Sequence, residues 1–294
     1  MFLETTTGGD AELAAFLRRA AGYTLTGDTG EEVLFFAHGR EATGKSTFLE
    51  ALKATLGDYA KTSDFETFVA HRGESGPRAD VARLMGARMV ASLEVDEGKR
   101  LAEGLVKQLT GGDTVAARFL YRESFEFRPA FKLWLAANAR PRVSADDGAL
   151  WRRILQVPFV EQVPERERDP ELKRHLTTDP QARSAILAWA VRGCLEWQRD
   201  GLGVPQRVRD YTAEYRAEND PVAEWLAACC RLEPEAVTAA GDLRSSYEAW
   251  AERNGEKAIS AKALGSALRA RGCTSKPTKR QRTWQGIALL EGDG

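Results

Sequence analysis

Glu32-Val-Leu-Phe-Phe-Ala37-His-Gly39-Arg-Glu-Ala-Thr43-Gly44-Lys45-Ser46-Thr47 is the stretch on which the fold turns. Its first six residues are apolar, β-branched or aromatic after the leading acid, the composition of a strand buried on both faces. From Gly39 to Ser46 the residues fit GxxxxGK[ST]. From Lys45 the spacing predicts a helix to about Leu56, stopped by Gly57-Asp58. A strand, a glycine-bearing turn and a helix in that order form a cradle for phosphate. The turn lets backbone N–H groups point inward, and the helix N-terminus adds its positive dipole end. In that cradle Gly39, Thr43, Gly44, Lys45, Ser46 and Thr47 are the nucleotide-binding candidates. Lys45 would contact the β and γ phosphates of ATP, and Ser46 would hold Mg2+.

A phosphate loop of this kind needs an acid on a neighbouring strand. Arg88-Met-Val-Ala-Ser-Leu93 reads as a second buried strand, and Glu94, Asp96 and Glu97 follow it. Any of the three suits the metal or the attacking water. Phe131 to Ala136 reads as a third buried strand, closed by Asn138, whose amide can orient a water. Trp151-Arg152-Arg153 precedes a fourth apolar run, Ile154 to Val160. Either arginine has the planar fork that meets phosphate oxygens.

Composition removes several other classes. The 294 residues carry 42 Lys+Arg against 43 Asp+Glu, a net charge of −1, so a uniformly basic nucleic-acid coat is excluded while a local basic patch is not. No apolar run is long enough to span a bilayer. The N-terminus lacks the basic start and apolar core of a signal peptide. The four cysteines include no CxxC pair, which fits free thiols in a reducing cytoplasm. The three histidines stand apart from them, so no structural zinc site is expected.

Along the chain, Asp10 to Ala21 reads as a helix, and so does Gly98 to Leu109. Val115 to Phe127 has the pattern of a hairpin about Arg122-Glu123-Ser124. Pro164 to Pro170 reads as a loop and Ala182 to Trp197 as an amphipathic helix. A linker is expected around Leu232 to Ala240. Beyond it come a helix from Asp242 to Asn254, a helix from Ser260 to Arg271, and two strands around Cys273 and Trp284 to Leu289. The division expected is a short helical N-terminal segment (1–30), an ATPase core (31–165), a helical extension (166–232) and a DNA-binding domain (233–294).

The order of these elements resembles the superfamily 3 helicases, and more closely the helicase part of phage and plasmid primase-helicases of the poxvirus-primase-like group. The matching strings are Gly22-Tyr-Thr-Leu-Thr-Gly27-Asp, Gly39 to Glu50, Gly57-Asp-Tyr, Glu94 to Leu101, Lys107-Gln-Leu-Thr-Gly-Gly-Asp113, Asn138-Ala-Arg-Pro-Arg142, and Trp151-Arg-Arg153 with Pro158-Phe159. The resemblance implies an α/β fold: a P-loop NTPase of AAA+-like type with a parallel sheet flanked by helices, followed by a C-terminal winged-helix domain. It implies ATP and Mg2+ as cofactors, Glu94 with Asp96 or Glu97 as the Walker B acids, and Asn138 as the sensor residue. Arg152 or Arg153 would be the finger given to a neighbouring subunit. It further implies a hexameric ring of identical subunits around single-stranded DNA, in the replication of a phage, plasmid or mobile element. Relatives of this group usually carry a primase domain before the helicase, and residues 1 to 30 leave no space for one. Either the chain is a helicase-only protein, with a separate primase as a possible partner, or the sequence is cut from a longer one.

Two segments are candidates for DNA. Lys107, Arg118, Tyr121 and Arg122 lie in the segment that the resemblance sends into the ring channel, where a cation and a ring can grip phosphate and base. Lys276, Lys279, Arg280 and Arg282, with Arg269 and Arg271 before them, follow two helices in the manner of a winged helix on duplex DNA. Both runs also suit an ordinary solvated face. Two other activities fit the same residues. One is a P-loop ATPase that does not unwind DNA, such as an initiator, loader or packaging motor. The other is a DNA-binding regulator with a degenerate ATPase.

Overall fold

The computed structural model describes residues 2–70, 78–93, 99–143, 147–254, 258–277 and 282–290. The chain divides into two compact units, Met1–Val143 with Gly148–Tyr215, and Ser144–Asp147 with Arg216–Gly294.

The first unit opens with helices α1 (Phe2–Thr7) and α2 (Ala11–Leu25). Asp10 caps α2, its carboxylate accepting from Leu13 N at 2.9 Å. Strand β1 (Leu34–His38) leads into α3 (Lys45–Leu56), and then come β2 (Ala60–Thr62), α4 (Ala79–Ala82), β3 (Met89–Ser92) and α5 (Glu103–Thr110). A hairpin of β4 (Val115–Arg118) and β5 (Ser124–Phe127) is followed by β6 (Lys132–Ala137), α6 (Gly148–Trp151) and β7 (Ile154–Pro158). Helices α7 (Leu172–Thr178), α8 (Pro180–Asp200) and α9 (Gln206–Glu218) follow; the last runs past the boundary at Tyr215.

Five strands form one parallel sheet in the order β2-β3-β6-β1-β7. Parallel strands need crossovers, so both faces are covered and both must be apolar. Along β1, Phe35 and Ala37 pack with Leu13, Phe16 and Phe48 on one face, while Leu34 and Phe36 pack with Phe68, Val106 and Trp151 on the other. Phe35 stacks on Trp134 of β6 with ring centroids 4.3 Å apart, an aromatic pair that contributes about 1 kcal/mol beyond area burial.

Helix α2 lies against α8 at the glycines Gly22 and Gly193. A Cβ on Gly193 would fall 1.9 Å from the Arg18 carbonyl oxygen, and one on Gly22 would fall 2.0 Å from Cys194 N. The string Gly22 to Asp28 therefore has a structural role. Gly22 admits α8, Thr24 Oγ1 accepts from Trp134 Nε1 at 3.0 Å, and the Thr26 and Asp28 carbonyls accept from the buried Lys132 Nζ at 2.7 and 2.9 Å. Burial pushes the Lys132 ammonium down to about 7, and Arg88 adds to the shift.

The second unit holds α10 (Pro221–Cys229), β8 (Cys230–Arg231), β9 (Val237–Ala239), α11 (Ala240–Arg253), α12 (Ala261–Ala270), β10 (Thr274–Pro277), β11 (Arg282–Gln285) and β12 (Ala288–Leu289). Its core gathers Trp225, Tyr247, Trp250, Leu264, Leu268, Trp284 and Ile287. Strands β10, β11 and β9 form an antiparallel sheet in that order.

The structure departs from the sequence expectation in places. Helix α5 begins at Glu103, since Arg100 bridges to Arg142 and Leu101 bridges to Val69 in extended backbone; the expected start at Gly98 lies outside the described residues. The unit boundary falls at Tyr215, upstream of residues 232–240, because Val222, Trp225 and Leu226 of α10 pack into the second core. Residues 237–239 are strand β9, paired to β11. Helices α1 and α7 and strand β2 add to the elements expected. Among the described residues no helix is long and apolar enough to cross a membrane.

Candidate nucleotide site

Residues 39–44 link β1 to α3 at the C-terminal edge of the sheet, where the strand order reverses and ligands bind α/β sheets. Gly44 has φ +89°, a left-handed turn that starts α3, and no side chain caps that helix. Its first N–H groups therefore have no side-chain cap, the arrangement in which a helix start can meet an anion. Gly44 is also hemmed in by α1: a Cβ there would stand 2.4 Å from Thr6 Cγ2.

Lys45 is nearly buried, and its Nζ donates to the carbonyls of Gly39 and Arg40, both at 2.6 Å, and to Thr43 Oγ1 at 3.3 Å. Burial holds its ammonium below the usual lysine range, with Glu41 opposing the shift. Thr43 is buried and donates to the Arg40 carbonyl at 2.9 Å, so it closes the turn internally. Ser46 is exposed in the first turn of α3, with Thr47 half-buried beside it. A lysine on the loop's own carbonyls and an exposed serine hydroxyl at a helix start fit a phosphate chain with its Mg2+.

The rest of the candidate set divides by sheet edge. Gly39 N donates to the Ala137 carbonyl at 3.4 Å, which puts Asn138 beside the loop at the end of β6. Asn138 is exposed. Glu94, Asp96 and Glu97 lie outside the described residues; β3 ends at Ser92 on the same edge, paired to Leu135 of β6.

Arg152 and Arg153 lie at the opposite edge. Leu34 N donates to the Arg153 carbonyl at 2.8 Å, and Leu34 opens β1. At about 3.3 Å per residue, Leu34 and Gly39 are separated by roughly 17 Å. Neither arginine reaches the phosphate loop of its own chain. Arg153 Nη2 is ion-paired to Glu32 at 2.6 Å and its Nη1 donates to the Ala149 carbonyl at 2.9 Å. Arg152 is exposed and makes no side-chain hydrogen bond among the described residues.

Two further residues meet at the loop: His38, at the end of β1, and Arg140, inside the string Asn138 to Arg142, neither of which has a role that spacing assigns. The His38 imidazole meets Tyr211 Oη at 2.7 Å, and His38 itself pairs with Ala137, the residue before Asn138. Burial, Arg140 and Lys45 push it down to about 4. Arg140, two residues after Asn138, lies over the rings of Tyr211 and Tyr215. Their partners on α9 are remote in sequence, so spacing does not reveal the contacts.

The hairpin candidates are held from below and open above. Val115, Ala117 and Phe127 are buried, while Arg118 and Arg122 are exposed. Tyr121 is 97% exposed at φ +59°, at the tip beside Leu120. Lys107 is half-buried on α5. In the second unit Lys276 and Arg282 are exposed on β10 and β11, one pair apart in the ladder. Lys279 and Arg280 lie outside the described residues. Arg271 is bound to Asp220, and the exposed Arg269 lies over Trp284 at 5.7 Å.

Residues 37–153 match a family model described as a family of unknown function, DUF5906. The chain is 28% identical over 232 residues to "Putative helicase L207/L206" of Acanthamoeba polyphaga mimivirus, covering 74% of this chain and 24% of that protein. It is 27% identical over 258 residues to "Putative helicase 022R" of Frog virus 3, covering 81% of this chain and 26% of that protein. It is 26% identical over 137 residues to "Primase D5" of Fowlpox virus, covering 45% and 17%. The chain thus spans about a quarter of the length of the two putative helicases. The solved A form of the apo NrS-1 C-terminal region shares the fold with a TM-score of 0.53 at 12% identity, over 98% of this chain and 74% of that one. The resemblance read from the motifs is borne out: the chain is similar to viral proteins named as helicases and as a poxvirus primase.

Proposed function

We propose that this chain is the motor part of a superfamily 3 replication helicase, an ATP- and Mg2+-dependent translocase on single-stranded DNA. The observation that carries the proposal is the split of the candidate set across the sheet. The phosphate loop and Asn138 share one edge, while Arg152 sits about 17 Å away at the other. Such a site is complete only when a second subunit lends its arginine. A head-to-tail interface of that kind closes into a ring when the rotation between subunits closes; six subunits is the expected number.

In the proposed site, Lys45 leaves the carbonyls of Gly39 and Arg40 to meet the β and γ phosphates. Ser46 holds the metal with an acid from residues 94–97, and Asn138 orients the attacking water. The Mg2+ supplies charge neutralisation across the phosphates. The hairpin tip, with Tyr121 and Arg122, is the single-strand contact, helped by Arg118 and Lys107. The second unit, read as a winged helix, contacts duplex DNA through Lys276 and Arg282 with Lys279 and Arg280. A primase activity belongs to a partner or to a further segment, and the setting is replication of a virus, phage or mobile element.

Steady-state ATP hydrolysis with and without single-stranded DNA tests this. Hydrolysis should be DNA-stimulated and abolished by Lys45→Ala. A wild-type rate in Lys45→Ala would overturn the site. DNA-stimulated hydrolysis without strand displacement would favour a loader or packaging motor.

A further inference from the structure

The turn that follows Asn138 and the strand ends beside it are fastened to α9 by several contacts. His38 ends β1, paired with Ala137 just before Asn138, and its ring meets Tyr211 Oη at 2.7 Å. Arg140 reaches back over the Tyr211 and Tyr215 rings, 4.9 and 5.6 Å from their centroids. Its Nη2 donates to Gln156 Oε1 on β7 at 3.2 Å and its Nη1 to Glu214 on α9 at 3.5 Å. Tyr215 Oη donates to the Pro141 carbonyl. Gln156 is fully buried, and its own backbone N–H donates to Thr212 Oγ1 of α9 at 3.0 Å.

The cost of this arrangement argues that it has a use. It holds a guanidinium, an imidazole and a primary amide beneath the edge of an apolar sheet, where aliphatic side chains would pack without desolvating polar groups. Arg140 lies mostly covered, and Gln156 Nε2 is buried with no hydrogen-bond partner. The contacts fall on the one short turn that carries Asn138, and on the residue before the phosphate loop. The other flank of that turn is tied as well, since Arg142 N donates to the Lys99 carbonyl at 2.7 Å, just after residues 94–98.

We propose that His38 and Arg140 are positioning residues of the ATPase site, fixing Asn138 at the phosphate loop by clamping its turn onto α9. They set where the Asn138 amide stands, and placement within a fraction of an ångström governs a water's attack on phosphorus. The clamp also gives α9 a stake in the site: movement of Asn138 with the nucleotide state moves Tyr211 and Tyr215. This inference rests on the ATPase reading proposed above.

The test is a double-mutant cycle on ATP hydrolysis by the full chain with Mg2+ and single-stranded DNA. Arg140→Lys keeps the charge but loses the flat stack and the forked contacts. Tyr211→Phe removes only the hydroxyl on His38. Arg140→Lys should lower kcat about tenfold or more and leave KM for ATP within about twofold. Tyr211→Phe should lower kcat by a smaller factor with the same split. In an Asn138→Ala background, Arg140→Lys should lower kcat no further. Full additivity with Asn138→Ala, or a kcat unchanged in both single variants, overturns the inference. A rise in KM with kcat preserved does the same. If Lys45→Ala hydrolyses ATP like the wild type, the underlying ATPase reading fails, which separates the two outcomes. Thermal melting of each variant identifies any loss that comes from unfolding.

Discussion

If Arg152 acts on the neighbouring subunit, two inactive variants should rescue one another. Lys45→Ala removes the phosphate-loop lysine but leaves the arginine at the far edge of the sheet. Arg152→Ala does the reverse. Alone, each should form assemblies in which every site is defective, with hydrolysis reduced about 10³-fold or more, the scale at which such arginines act. The separation of roughly 17 Å along β1 bars rescue within a chain. In an equal mixture that assembles at random, roughly one site in four joins an intact loop to an intact arginine. Hydrolysis should then return to about a quarter of the wild-type rate per subunit, a rise of two orders of magnitude or more over either variant. The assay is steady-state phosphate release after co-assembly, with each variant alone as control. Mixed assemblies that form and show no recovery would refute the reasoning, as would Arg152→Ala at the wild-type rate. Arg153→Ala is a contrasting control. Its partner Glu32 is about half exposed, so breaking their ion pair should cost about 1 kcal/mol or less of stability.

Other expectations follow from single residues. Gly193→Ala should lower stability by about 1–3 kcal/mol in urea unfolding, because its Cβ would meet the Arg18 carbonyl at 1.9 Å and alanine's helix propensity offsets only part of the strain; an unchanged midpoint would contradict the close crossing of α2 and α8. Tyr121→Ala should weaken single-strand binding by about 1–3 kcal/mol per stacked base, read by fluorescence titration, and equal affinity would exclude the tip as a contact. Replacing Lys276 and Arg282 with alanine should flatten the salt dependence of duplex binding by about 0.9 for each phosphate no longer neutralised, and an unaltered slope would count against the second unit. The imidazole of His38 is depressed to about 4, so the unfolded chain binds more protons between about 4 and 6.5 and stability should rise with pH across that window. Solvent screening trims a ceiling near 3 kcal/mol to about 1–2 kcal/mol; a wild type that shows the same pH profile as His38→Gln would contradict this.

The central fold was legible because its signals are local. A strand buried on both faces reads as an apolar run, and β1, β3, β6 and β7 are mostly apolar, broken by Lys132 at the start of β6 and Gln156 within β7. The phosphate loop declares itself by spacing, and Asp10 and Ser260 cap the helices they precede. What escaped is set by pairings distant in sequence. Strand β2 is Ala-Lys-Thr, with no apolar run, and exists because Ala60, Lys61 and Thr62 pair with Met89, Val90 and Ala91. Helix α1 ends in three threonines, poor helix formers, and is held by packing of Phe2 and Thr6 against Gly44. His38 and Tyr211 stand 173 positions apart, so the tether at the site has no linear trace. Spacing also leaves Arg152 and Arg153 equivalent; the bond of Arg153 to Glu32 separates them.

Nucleotide hydrolysis at Lys45 should drive the chain along DNA. Displacement of a labelled strand from a duplex with a single-stranded tail, with Mg2+ and ATP, tests this most directly. Wild-type protein should release the strand in step with ATP consumed. Lys45→Ala should bind the tail and release nothing. Hydrolysis by the wild type with no strand released, or strand release by Lys45→Ala at the wild-type rate, would contradict it.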